Sequence, residues 1–181
     1  MKKMLCGTLA IVVIAASAAW ADDKSCPMPT VKNSAELEQV AALAGTWTGT
    51  AKHGDGKEEP ATVTYRVTSG GSAVAETLSP GTPHEMISMY HDRGGKLAMT
   101  HYCMLGNQPE LVLHESATGR LDLEASAQTR SALAGQMYMS SLVIEQPAAD
   151  QLVETWSAVD ANGKPTDSTI LVLKKTSGGQ P

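Results

Sequence analysis

The chain has 181 residues, 42% of them hydrophobic and 18% charged, a composition that supports one buried core and excludes intrinsic disorder. Lys and Arg number 14 against 19 Asp and Glu. With no basic cluster anywhere in the chain, nucleic acid is excluded as a partner, because affinity for a phosphate backbone rests on clustered cations. The sequence also lacks a glycine-rich phosphate loop, a Gly-x-Ser-x-Gly elbow, a Cys-x-x-Cys pair and a His-Glu-x-x-His motif.

At the N-terminus, Met1–Lys3 brings two positive charges and Met4–Ala19 is an apolar run shorter than the roughly 20 residues of a membrane span. Ala19-Trp20-Ala21 then puts small residues at both positions that define signal cleavage. The pattern predicts a signal peptide over residues 1–21, a mature chain starting at Asp22, a periplasmic or secreted location, and no membrane span after the signal is removed. Cys6 would leave with the signal. The remaining Cys26 and Cys103 can pair in an oxidising compartment only if the fold brings their Cα atoms within about 7 Å.

Residues 22–33, with Pro27, Pro29 and several charges but no periodicity, read as a flexible leader. Ser34 is placed to cap a short helix over 35–44, where Leu37, Val40, Ala41 and Ala44 share one stripe and Gly45 supplies the stop. From Gly45 onward, Gly, Pro, Asn or Asp interrupts the chain every eight to twelve residues, and the segments between alternate with period two. Ten strands are expected, near 46–53, 60–68, 72–78, 84–92, 97–105, 110–116, 120–126, 136–146, 151–160 and 167–175. Asn162-Gly163 and Gly94-Gly95 suit tight hairpin turns, so neighbours in sequence become neighbours in space. The predicted fold is all-β, an antiparallel up-and-down barrel of 8–10 strands over residues 34–176 with a short N-terminal helix, and 177–181 form a flexible C-terminal tail.

A short helix followed by Gly45-Thr46-Trp47 at the start of the first strand resembles the opening of the lipocalin-like, or calycin, barrels. The resemblance implies a helix plugging one barrel end with Trp47 packed against it. Glu85-Met86, Tyr90-His91, Gly94-Gly95, Thr100-His101-Tyr102-Cys103 and Gly106-Asn107-Gln108-Pro109 resemble an uncharacterised exported bacterial family of lipocalin-like proteins. That resemblance covers residues 45 to about 112 and implies a barrel with no established activity. The strand count is also similar to haem-binding barrels of the nitrobindin type, but their histidine lies in a late strand, and no histidine follows His114 here.

A two-residue turn, whether at Arg93-Gly94 or Gly94-Gly95, puts Met86, Ser88 and Tyr90 on one face with Leu97, Met99, His101 and Cys103. That face is expected to point inward. The opposite face, with Ile87, Met89, Ala98, Tyr102 and Met104, is also apolar and would meet a loop, a partner or a second copy of the chain in a homodimer. His101 and Cys103 share a side, which admits a metal site with His84 or His91, an axial haem ligand, or a hydrogen-bonded core histidine beside a buried thiol. The last is the expected one. Glu76, between Val74 and Leu78, is either a carboxylate in an apolar interior with a raised pKa or a rim partner of Arg66; Glu154, beside Leu152 and Trp156, poses the same question. Gly106-Asn107-Gln108-Pro109 is read as a strand-connecting turn whose amides bond the backbone.

The sequence thus points to an exported protein binding a small, mostly apolar ligand inside the barrel through His101, Tyr90, Met86, Met99, Cys103, Glu76 and Trp47. No catalytic or metal residue is assigned and no cofactor is expected, haem being the alternative. An enzyme with a His/Tyr/Glu acid-base cluster and a barrel acting through its outer surface are the alternative functions.

Overall fold

The computed structural model describes residues 30–176; the predicted signal peptide, Cys26 and the 177–181 tail lie outside them. Ser34 caps α1 (Ala35–Ala42), its Oγ accepting from the Leu37 N–H. Its own N–H and O–H donate to the two oxygens of Asp92, each at 2.6 Å. These bonds tie the helix to the wall; Leu37 and Val40 turn inward as expected, Ala41 is half-buried, and because the helix ends at Ala42, Leu43 takes the inward place expected of Ala44, which is exposed.

The period-two segments form ten antiparallel strands: β1 (Gly45–Lys52), β2 (Glu58–Thr68), β3 (Ala73–Leu78), β4 (Met86–Arg93), β5 (Lys96–Tyr102), β6 (Glu110–Ala117), β7 (Arg120–Ala125), β8 (Tyr138–Ala148), β9 (Gln151–Val159) and β10 (Thr169–Lys175). Each pairs with its sequence neighbours, and β1 pairs with β10, so the sheet closes on itself and leaves no free edge. All ten expected strands are present. A second helix, α2 (Ala127–Ala132), was not expected; Ser126 caps it and it spans the connection between β7 and β8.

Closure depends on a small residue. Gly49 of β1 faces Leu173 of β10, and a Cβ there would overlap the main-chain oxygen of Val172. At the α1 end, Trp47 is fully buried and donates its Nε1–H to the Leu43 carbonyl at 2.8 Å, the arrangement implied by the Gly45-Thr46-Trp47 opening.

The wall is thinnest between β5 and β6. That ladder has three residue pairs, Ala98–Val112, Met99–Leu111 and Thr100–Glu110, whereas every other ladder has at least five. Leu97 and Leu113, the next pair in that register, are not joined. The α2 segment braces the other end of this seam: Thr129 Oγ1 accepts from the Glu110 N–H at 2.8 Å and donates to the Glu110 carbonyl at 3.0 Å.

Gly49→Ala is expected to cost about 1–3 kcal/mol of unfolding free energy, because the obstructing atom is backbone and has no rotamer to yield. Urea denaturation of the two chains measures it, and a change within experimental error would show that β1 and β10 separate without penalty.

Candidate functional site

The β4–β5 turn fixes which side chains meet inside. Gly94 and Gly95 both have positive φ, 60° and 79°, and Arg93 pairs with Lys96, so the loop is the expected two-residue hairpin turn. Ser88 then faces His101 and Tyr90 faces Met99, and all four are fully or almost fully buried.

The same row continues across the wall. Tyr65 of β2 is the partner of Glu76 on β3, Glu76 of Ser88 on β4, and Ser88 of His101 on β5. Four polar side chains thus lie side by side on four successive strands, at right angles to the chain direction. From β9, far away in sequence, Glu154 and Trp156 come to meet them.

Both Glu76 and Glu154 are 0% exposed. Tyr65 Oη lies 2.7 Å from Glu154 Oε1 and 3.3 Å from Glu76 Oε1; with one proton to give, it serves the closer carboxylate. Trp156 Nε1–H donates to Glu154 Oε2 at 3.1 Å, and Tyr90 O–H donates to Glu76 Oε2 at 2.9 Å. Glu154 thus has the Tyr65 and Trp156 donors and Glu76 the Tyr90 donor. Burial pushes both pKa values up, and for Glu76 the neighbouring Glu154 charge adds to it. Among the described residues neither has a Lys or Arg partner.

Beside this pair, Ser88 Oγ and His101 Nδ1 are 3.0 Å apart, and the imidazole lies against Trp156 with ring centroids 4.8 Å apart. Burial pulls the His101 pKa down to about 4, so the ring is neutral at pH 7. Burial also raises Tyr65 and Tyr90, reinforced by the Glu154 and Glu76 charges respectively; both phenols stay protonated and act as donors. The site is a set of fixed hydrogen bonds around two buried carboxyl groups.

The expected site residues fall into two groups. Glu76, Tyr90, Met99 and His101 are buried on the inner wall, and Trp47 is buried against α1. Arg66, the alternative partner of Glu76, is exposed on the outer face. Met86 is only partly buried at the edge of the core. Cys103 requires a correction: β5 ends at Tyr102, the chain turns there with Gly106 N–H donating to the Cys103 carbonyl, and the thiol is half-buried instead of lining the interior. Inward parity does not persist once a strand has ended. In that turn the amides do bond backbone, Asn107 Nδ2 to the Met137 carbonyl at 2.8 Å and Gln108 Nε2 to the Gly106 carbonyl at 3.3 Å.

Sequence reasoning assigned no role to Tyr65 and did not join Glu154 to Glu76. Both lay on recognisably inward positions, but only ring closure shows that β9 faces β3 across the interior. Among the described residues no three His, Cys, Asp or Glu side chains are grouped to hold a metal ion.

Comparison with known proteins supports the fold alone. No protein-family model matches the chain, and no curated protein matches it. Among solved structures it is similar to a protein of unknown function from the DUF3598 family of Nostoc punctiforme, with 12% identity and a TM-score of 0.51, over 76% of this chain and 49% of that one. The chain thus spans about half the length of that relative. A redesigned β-barrel also matches, with 11% identity and a TM-score of 0.39 over 77% of this chain and 96% of that one.

The two titrations act in opposite directions. The Glu76 pKa is raised in the folded state, so its contribution to stability is complete below the unfolded value near 4.3 and is lost as pH rises through the folded value. The His101 pKa is depressed, so its contribution is complete above about 6.5 and is lost as pH falls toward 4; the full span is of order 3 kcal/mol. Urea unfolding across pH should show Glu76→Gln flattening the alkaline decline and His101→Gln flattening the acid one. Unchanged slopes in either variant would mean that the group concerned keeps an ordinary pKa.

Proposed function

We propose that the barrel binds a small, mostly apolar molecule whose polar end contacts the Tyr65, Glu76, Ser88, Tyr90, His101, Glu154 and Trp156 cluster. The observation that supports this reading is a pair of fully buried carboxyl groups, Glu76 and Glu154, with no Lys or Arg partner among the described residues. A fold needs no such group: replacing buried charges with apolar residues of similar volume is often neutral or stabilising, and perturbed carboxylates concentrate at functional sites. A ligand carrying hydrogen-bond donors could take the place of a tyrosine or Trp156 donor at Glu76 or Glu154. Apolar walls of Leu97, Met99, Leu111 and Leu123 would surround its body. If residues 1–21 act as the expected export signal, this binding would take place outside the cytoplasm.

Acid-base catalysis is the second reading. It is favoured by a neutral imidazole bonded to Ser88, whose strand partner is the protonated Glu76, because a neutral base next to a neutral acid is what proton transfer at pH 7 requires. The two readings differ in what the bound molecule becomes. A retained ligand recovered unchanged after prolonged incubation supports binding; one converted to product supports catalysis.

Native mass spectrometry of the protein purified from its own host tests the proposal. A retained small molecule is expected in the unaltered chain, and it should be lost or reduced at least tenfold in Glu154→Gln and in His101→Ala, with circular dichroism of the barrel preserved. His91→Ala, on the opposite face of β4, should retain it. Ligand-free protein from the host, together with no thermal shift across a panel of small amines, alcohols and acids, would refute the proposal.

A further inference from the structure

Three hairpins at the barrel end opposite α1 are closed by the same turn. In each, the first residue exchanges backbone bonds with the residues three and four places on: His53 with Gly56 and Lys57, Cys103 with Gly106 and Asn107, Asp160 with Gly163 and Lys164. Gly56, Gly106 and Gly163 all have the positive φ that this turn needs. The two corner residues are Gly54-Asp55 in the first turn and Ala161-Asn162 in the third, small or polar as turn corners usually are. In the β5–β6 turn they are Met104-Leu105, which are 59% and 47% exposed. The shared backbone geometry does not call for two large apolar residues here, and neither belongs to the core.

Three further apolar side chains extend this tip. Tyr102, which ends β5, is 51% exposed, and its strand partner Ile87 is exposed beside it. Met137, also exposed, is held next to the turn by buried Asn107, whose Nδ2 donates to the Met137 carbonyl at 2.8 Å. Part-exposed as they are, the five side chains present a few hundred Å², short of the roughly 800 Å² per partner that a stable protein interface buries. The most exposed of them sit on a turn apex, a convex shape that a fluid partner encloses more readily than a second folded surface. Charge points the same way. The chain has 19 Asp and Glu, yet residues 94–109 and 125–144, which carry the tip and the neighbouring α2, have none. Glu85, the acid just before β4, turns its carboxylate onto the Gly81 N–H at 2.6 Å. An anionic leaflet repels carboxylates, and a tyrosine beside buried Met and Leu suits the level of the lipid headgroups.

We propose that this end of the barrel docks on a lipid bilayer, with Met104 and Leu105 entering the acyl region and Tyr102, Ile87 and Met137 resting at the headgroup boundary. Such docking needs no ligand inside the barrel, so its failure and the failure of interior binding are separate results.

Co-sedimentation of the protein purified from its own host with vesicles of phosphatidylethanolamine and phosphatidylglycerol tests the docking. The unaltered chain is expected to partition onto the vesicles about tenfold more strongly than Met104→Asp/Leu105→Asp, with the circular dichroism of the barrel preserved in the double variant. Val172→Asp, at an exposed apolar position on β10, adds a carboxylate elsewhere on the wall and should bind as the unaltered chain does. Leu105→Trp should add a fluorescence that shifts to the blue on binding and is quenched by lipids brominated in their acyl chains. Absence of the unaltered chain from the vesicle pellet, equal partition of the double variant, the same loss in Val172→Asp, or a Leu105→Trp signal beyond the reach of the bromines would overturn the proposal. So would dimers in analytical ultracentrifugation that the double substitution disperses, found in place of vesicle binding, which would assign the tip to a second copy of the chain.

Discussion

Two fully buried carboxyl groups, Glu76 and Glu154, set the terms for the interior. Ionising a carboxyl group inside a protein costs several kcal/mol even after relaxation, and among the described residues no cation offsets it. What holds the pair is geometry: Tyr65 and Trp156 donate to Glu154, and Tyr90 donates to Glu76. Charge-assisted hydrogen bonds are about twice as strong as neutral ones, but only where the donors are already in place. The arrangement therefore demands a single register. A slip of one residue in the β3 ladders would swing Glu76 to the outer face and leave Tyr90 without its acceptor.

The wall that enforces this register is uneven. Long ladders such as β1–β2 and β8–β9 carry eight pairs each, and the belt is built mainly on β2 to β5 and β9, whose ladders with one another have six or seven. The short β5–β6 ladder begins where His101 ends the row, with the His101 N–H donating to the Pro109 carbonyl at 3.0 Å. A register shift between Leu113 and Glu115 interrupts the β6–β7 ladder just beyond it.

The fold was largely legible because its signal is local. Alternation such as Ala61, Val63 and Tyr65 against Thr62, Thr64 and Arg66 reports a half-buried strand whatever it pairs with, and Gly94-Gly95 fixes a hairpin within four residues. The α2 helix escaped because AQTRSA has six residues and no apolar stripe; its only sequence trace is the spacing of Ser126 and Thr129. Within the site, the inward placement of Tyr90 and His101 followed from the turn. The Glu76–Glu154 meeting did not, since it depends on ring closure across more than seventy residues, and no period in either strand encodes which strand lies opposite. Cys103 shows the converse limit, where parity was extended past the end of the strand that generates it.

The chemistry of the belt follows from which members hold protons. Tyr65 and Tyr90 are donors, His101 is neutral at pH 7, and burial raises both Glu76 and Glu154 toward their acid forms. Two leucines at 76 and 154 would fill the space and remove the desolvation cost, while stranding the two tyrosine hydroxyls and the Trp156 N–H, each worth about 1–3 kcal/mol when buried without a partner. Removal of the pair would thus require removal of the donors as well. The cluster behaves as a unit whose cost is fixed by its least solvated member, and a molecule entering the barrel would be read by that unit as a whole.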